Sequence, residues 1–363
     1  WINKWARLAS IAPQVANFFS QTPGLRNIMK SVLNVPQQRQ IPAFAPATFR
    51  EWFEKREVKE GPAPEVILWA DTFNNHFHPE TLKAAVEVLE RLGWRVQVPK
   101  QHLCCGRPLY DFGMLDEAKR YLKRIISSLR EEIEHGKYIV VLEPSCASVF
   151  REELKDLLPD DPLCESLSQQ VMLLSEFIEN RAAHFDFPSL QKRKAIVQGH
   201  CHHQAVLKMG AEKSVLKKLD LDAKVLDAGC CGMAGPFGFE ASKYEVSQAI
   251  GERVLLPAVR EAAEETIVIS DGFSCREQIK QNTGRHALHL AEVLQMAFRD
   301  ELPGSGMPEA ELVKTLKWES RKAKVGTAAV VGFAGVTAFT LWWMVKNAWA
   351  RRSNHSPAQK RNF

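Results

Sequence analysis

The sequence predicts an α/β protein: two tandem, pseudo-repeated units of mostly parallel strands, with helices before them and one hydrophobic helix after them. Three observations predict this. Short apolar runs alternate with longer helix-spaced stretches from Val66 onward. A Cys-Cys-Gly triplet occurs twice, in "HLCCGRPLYDFG" and "DAGCCGMAGPFGFE", at matching places in two passes of that alternation. Residues 325–345 carry no charge and are long enough to span a bilayer core.

Residues 1–60 read as N-terminal helices and a Pro-rich linker. "WINKWARLASIAPQVANFFSQTPGLRNIMKSVLN" has amphipathic spacing broken near Pro23-Gly24, and "VPQQRQIPAFAPATF" has connector composition. The first repeat spans 61–190. In it "EVILWA" is a strand, "HPETLKAAVEVLERLG" a helix stopped by Gly93, and "WRVQVP" a strand leading to Cys104-Cys105-Gly106. "DEAKRYLKRIISSLREEIEHG" is a long helix ending at Gly136, and "KYIVVLEPSC" a strand running into Cys146.

The second repeat spans 191–303. "KAIVQGHCHH" is a strand ending at Cys201, a helix covers about 203–217, and "AKVLDAG" is the strand before Cys230-Cys231-Gly232. A helix near 241–263 and the strand "TIVISDGFSC", running into Cys275, complete it. A basic linker (304–324), the hydrophobic helix (325–345) and a basic tail (346–363) follow. "RKAK" and "KNAWARR" flank the hydrophobic run, with Trp342, Trp343 and Trp349 at one end, which favours a transmembrane anchor. Lys and Arg are equal in number on its two sides, so charge does not orient it.

Net charge is +5, but residues 1–60 carry +5 and 311–363 carry +8, leaving −8 for the 61–310 body. An acidic body excludes nucleic acid as a partner, whereas the basic ends suit an anionic membrane surface. No dinucleotide fingerprint, HExxH or GxSxG occurs, and "GMAGPFGFE" lacks the GxGxxG spacing. Position 1 is Trp, which suggests a piece of a longer product.

Eight cysteines in 363 residues are too few for a disulfide scaffold, and their clustering points to metal or redox chemistry. The first repeat reads Asp71, 32 residues, Cys104-Cys105-Gly106, 36 residues, Glu143-Pro-Ser-Cys146. The second reads Cys201, 28 residues, Cys230-Cys231-Gly232, 39 residues, Gly272-Phe-Ser-Cys275. Each cysteine falls at or just beyond the C-terminal end of an expected strand, the edge where open α/β sheets bind ligands.

Cys201, Cys230, Cys231 and Cys275 therefore converge as a soft-metal site, zinc or iron–sulfur. Adjacent side chains diverge, so a vicinal pair suits a multi-iron cluster better than one tetrahedral zinc. A vicinal disulfide or two buried thiols are the alternatives. In the first repeat Cys104, Cys105 and Cys146 remain, but Asp71 and Glu143 stand at the outer positions. Oxygen donors suit zinc or harder metals, so this second site holds zinc, another metal or nothing. His102 and His76 are near enough in sequence to assist it. His200, His202 and His203 flank Cys201, either bonding a cluster sulfur or relaying protons to a quinone, or standing exposed at a helix start. Cys164 lies outside the repeats and reads as packing.

The stretches "DTFNNHFHPE", "CCGRPLYDFGMLDEA", "LEPSC", "GCCGMAGPFGFE" and "DGFSCREQI" resemble the cysteine-rich CCG domain. That domain occurs in one of the subunits of heterodisulfide reductase and in the iron–sulfur subunits of glycolate oxidase and anaerobic glycerol-3-phosphate dehydrogenase. The wording is closer still to the C-terminal region of fused FAD and iron–sulfur oxidoreductases of the D-2-hydroxyglutarate / D-lactate dehydrogenase type. The resemblance covers about residues 1–300 and implies two Rossmann-like CCG units relaying electrons.

It further implies a [4Fe–4S] cluster on the second repeat, FAD on a missing upstream domain or partner flavoprotein, a ferredoxin-like relay, and the quinone pool as acceptor. The cysteine body is then expected on the cytoplasmic side of the membrane. The family's closing CxxC is Gly272-Phe-Ser-Cys275 here, so four ligands rather than five are implied. Rival readings are a zinc-stabilised docking module and a thiol–disulfide reductase using the cysteine pair.

Overall fold

Every strand of the described chain runs parallel to its sheet neighbours. The computed structural model describes residues 2–57, 61–301, 306–310, 312–314 and 316. The helix expected over 325–345 and the basic tail lie outside these residues. Among the described residues no helix is long and apolar enough to cross a membrane.

In chain order, α1 (Ile2–Ala9), α2 (Pro13–Gln21), α3 (Leu25–Val32) and α4 (Phe49–Lys55) precede the first sheet. That sheet is built from β1 (Glu65–Trp69), α5 (Thr72–His76), α6 (Pro79–Arg91), β2 (Arg95–Gln97), α7 (Arg107–Asp111), α8 (Leu115–Ser128), α9 (Arg130–Glu134) and β3 (Tyr138–Val141). Then come α10 (Pro144–Arg151), α11 (Glu153–Leu157), α12 (Leu163–Gln170), β4 (Val171–Leu173) and α13 (Leu174–Arg181).

The second repeat is β5 (Lys194–Val197), a π-turn (His203–Leu207), α14 (Gly210–Lys218), β6 (Asp222–Val225), α15 (Tyr244–Glu252), α16 (Leu255–Glu261), β7 (Ile267–Ile269), α17 (Phe273–Thr283) and α18 (Leu290–Arg299). Strand orders are β2-β1-β3-β4 and β6-β5-β7. Leu288 bridges Ile269 in parallel and stands beside β7 as β4 stands beside β3.

Parallel strands cannot be joined by hairpins, so helices return across the faces. The inner strands β1 and β3 are apolar and buried after their first residues, while the edge strands β2 and β6 carry polar side chains. Alternation sorts their side chains. Val66, Leu68 and Val140 of the first sheet share one core with Ala195, Val197, Ile267 and Ile269 of the second. Between the sheets, α6 packs on α18 and α13 on α14, so each repeat contributes two helices to a common layer. The opposite faces are separate. Ile67, Trp69, Ile139 and Val141 pack on α8, α10 and α12, with Trp69 edge-on to Phe150 at 5.1 Å. Val268 packs with Leu255, Val259 and Ile279 of α16 and α17.

Several expected elements are divided. The long helix after the first cysteine pair becomes α8 and α9, because Leu129 leaves helical geometry (φ −113°, ψ 14°) with its side chain buried. The 203–217 helix is interrupted at Lys208, whose φ is +67°. The helix near 241–263 breaks at Val254 into α15 and α16. Neither "LEPSC" nor "DGFSC" extends a strand: β3 and β7 stop at Val141 and Ile269, and Cys146 and Cys275 sit in the first turns of α10 and α17.

The Pro-rich stretch before α4 is anchored by a buried arginine. Arg39 donates to the carbonyl of Gly238 (2.7 Å), to Oε1 of Gln278 (2.6 Å) and to Oγ of Ser247 (2.7 Å). Ser247 Oγ donates in turn to the carbonyl of Gly232 at 2.5 Å, so the bonding reaches the second Cys-Cys-Gly loop. Arg39→Ala leaves these acceptors buried and short of a donor and is expected to cost about 3 kcal/mol. Urea unfolding measures this; a loss below about 0.5 kcal/mol, ordinary for a surface site, would show that the segment is only a tether.

Candidate metal centres

Both groups of cysteines lie where strands end. In the second repeat, β5 leads to Cys201, β6 to Cys230 and Cys231, and β7 to Cys275. The four side chains are neighbours in a row, Cys201 beside Cys230, Cys230 beside Cys231 and Cys231 beside Cys275. Cys231 and Cys275 are buried, Cys201 and Cys230 half-buried, and all are free thiols.

Contact makes Cys201, Cys230 and Cys231 unequal. Cys201 and Cys231 donate to Cys230 and hold it far below the usual thiol range, helped by the Gly232 amide, which donates to its Sγ at 3.3 Å. Their bonds to Cys230 and their burial push Cys201 and Cys231 up. A thiol row that stabilises one thiolate at the others' expense lacks positive charge. A metal centre supplies that charge and lets every thiol ionise.

Two glycines shape the site. Gly232 has φ +91°, and a Cβ there would overlap the Ser247 carbonyl. At Gly272 a Cβ would overlap Cδ2 of His200 and sit 3.4 Å from Cys275 Sγ. Gly232 thus lets the cysteine loop lie against the α15 backbone, and Gly272 leaves room for the His200 ring beside Cys275. The donor set, all sulfur and vicinal in part, fits an iron–sulfur cluster.

His200 and His202 stack at 5.2 Å between ring centroids, with their Nδ1 atoms 3.9 and 4.0 Å from Cys201 Sγ. Burial brings both imidazoles down to about 4, so both are neutral at neutral pH. Arg107, two residues beyond Cys105, adds to this effect on both. His203 faces elsewhere, towards Asp271 and Glu212.

The first repeat brings together three thiols. Cys104 contacts Cys105, and Cys105 Sγ lies 3.0 Å from Cys146 Sγ. The two carboxylates at the outer positions are already engaged. Asp71 caps α5, accepting from the amides of Phe73 (3.0 Å) and Asn74 (2.9 Å) and from the Asn74 side chain (2.7 Å). Burial, with Glu143 nearby, raises Asp71 to about 6.

Glu143 caps α10, accepting from Ser145 Oγ at 2.9 Å, and its other oxygen accepts from the Phe273 amide at 2.8 Å. This is a bond between repeats: α17 begins at Gly272, which has no side chain to cap it. His102 is exposed and His76 bonds Ser10 Oγ at 2.7 Å, so neither joins the thiols. Cys164 is buried among the outer packing of the first sheet.

Sequence reasoning missed Arg276, which follows Cys275 and is buried. It donates to Thr81 Oγ1 (2.8 Å) and Asn74 Oδ1 (2.6 Å) of the first repeat. Nothing in the sequence marks it, whereas Glu143-Pro144 does carry the N-cap and N1-proline signature.

The sequence model of the CCG cysteine-rich domain matches residues 71–151. An anaerobic glycerol-3-phosphate dehydrogenase subunit of Escherichia coli (strain K12) is 27% identical over 295 residues, covering 79% of this chain and 72% of that protein. Lactate utilization protein A of Bacillus velezensis is 31% identical over 243 residues, 63% of this chain and 98% of that protein. The protein of the same name from Bacillus subtilis (strain 168) is 30% identical with the same coverage.

Glu143→Ala removes the cap that crosses from one repeat to the other. It is expected to cost about 1–2 kcal/mol and to speed hydrogen exchange at the Phe273 amide. Unchanged protection at that amide would mean that the bond contributes nothing. Gly272→Ala is expected to displace the His200 ring and weaken metal retention, read by metal analysis of the folded variant.

Proposed function

Since this chain belongs to the CCG cysteine-rich family of iron–sulfur oxidoreductase-type proteins that includes lactate utilization protein A, we propose that it is an electron-relay part of a dehydrogenase. The observation that carries this reading is the gathering of Cys201, Cys230, Cys231 and Cys275 at one sheet edge. These four would hold a [4Fe–4S] cluster, which when bound supplies one-electron transfer. Cys231 and Cys275 keep water from its inner side, while half-buried Cys201 and Cys230 leave an approach for a redox partner. His200 and His202 stand beside Cys201 to tune its basicity.

In the finer reading the sheets are tandem Rossmann-like repeats, and electrons come from FAD on a flavoprotein domain or subunit through a ferredoxin-like segment. The oxidised substrate is a D-2-hydroxy acid and the acceptor is quinone. The uncharged 325–345 run then anchors the chain to the membrane, with its cysteine body on the cytoplasmic side. Trp5, Leu8, Ile11, Ile28 and Val32 are exposed on and beside α1–α3, and an apolar surface of this breadth supports a protein or membrane partner. A second reading, zinc on Cys104, Cys105 and Cys146, is supported by the close approach of Cys105 to Cys146 and concerns the first repeat only.

Anaerobic purification followed by iron, acid-labile sulfide and zinc analysis tests the proposal. About four irons with equal sulfide are expected per chain. Cys201→Ser and Cys275→Ser should lose both, while Cys104→Ser should keep them. Zinc without sulfide would leave a structural docking module.

A further inference from the structure

We propose that His203, Glu212 and Asp271 form a second, sulfur-free site for a divalent transition-metal ion, with zinc the first candidate. The three come from different elements: His203 opens the π-turn after β5, Glu212 lies in the first turn of α14, and Asp271 follows β7. A ring nitrogen of His203 and one carboxylate oxygen from each acid lie within 4.8 Å of one another. Donors around a tetrahedral zinc stand about 3.4 Å apart, so small side-chain rotations close the set.

Burial gives the cluster its meaning. His203 and Glu212 are each 1% exposed and Asp271 7%. His203 Nε2 and Glu212 Oε2 have no hydrogen-bond partner, an expensive condition in a packed interior. Were both carboxylates ionised beside the imidazole, their charge would match that of a divalent ion. Burial and the nearby Asp271 push Glu212 up, the cost such an ion removes. Arg151, the cation on this side, is bound to Glu176 at 2.7 Å and does not replace it.

The surroundings orient the donors. Asp271 Oδ1 accepts from the Leu290 amide at 3.0 Å and lies 3.4 Å from His289 Nε2, which is 3.1 Å from the carbonyl of Leu142. Ligating carboxylates are themselves hydrogen-bonded in metal sites, as Asp271 is here. The donors contain no sulfur, so they select a harder ion than the neighbouring thiols do. The ion ties the segment carrying Cys201 and the segment carrying Cys275 to α14, fixing the separation of two thiols of the first centre.

The test uses the full chain, equilibrated anaerobically with Zn²⁺ and dialysed free of loose metal. About one zinc per chain is expected, with a zinc-edge absorption spectrum showing nitrogen and oxygen near 2.0 Å and no sulfur shell near 2.3 Å. Glu212→Gln should lose that zinc and keep its sulfide, whereas Cys104→Ser should keep the zinc. No retained zinc, or a sulfur-dominated spectrum, overturns the proposal, and both are read on the wild-type chain even if the glutamine variant fails to fold. Sulfide content is read in the same samples, so failure of this site is distinguishable from failure of the cluster assignment.

Discussion

Strand direction governs the whole molecule. Because all strands in each sheet run the same way, every strand-to-helix turn emerges on one edge, and every helix must travel back across a face. Residues separated by dozens of positions therefore meet without any long loop. Cys201, Cys230, Cys231 and Cys275 meet in this way, and so do Cys104, Cys105 and Cys146. The returning helices seal both faces, so the thiols stand at the rim of a dry interior. There a charge is stabilised only by what is built around it.

The two repeats use one plan for different chemistry. In the second, the outer positions carry Cys201 and, three residues into α17, Cys275, while bare backbone at Gly272 makes room beside them. In the first, Cys146 matches Cys275, but Asp71 stands at the place of Cys201 and Glu143 at that of Gly272, and each carboxylate caps a helix. An anionic oxygen at a helix start satisfies free amides and faces the positive end of the dipole. The first unit thus supports the second, with Arg276 and Glu143 as polar links between them.

Much of this was legible in the sequence. β1, β3, β5 and β7 are apolar runs bounded by turn residues, and the spacing of the cysteines placed them at strand ends. β4 was not legible, because "VML" lies between two helices with no punctuation. The capping by Asp71 and Glu143 was not read, because spacing set them at possible ligand positions, although the proline after Glu143 marks a helix start. His203, Glu212 and Asp271 could not be grouped from sequence at all. They lie on three elements, and only the return of α14 along the shared layer brings them together. Arg39 sits in a stretch whose composition reads as linker, and only the tertiary fold supplies its three acceptors.

The bond from Glu143 to the Phe273 amide also bears on how the two sheets can change. A unit with fewer thiols at its sheet edge is ordinarily free to drift, shrink or disappear. Here the first unit caps the start of the helix that carries a thiol of the second, and its sheet closes the second's core. Drift in one is felt as misalignment in the other. The pair is therefore inherited, and must be excised or transplanted, as a single object.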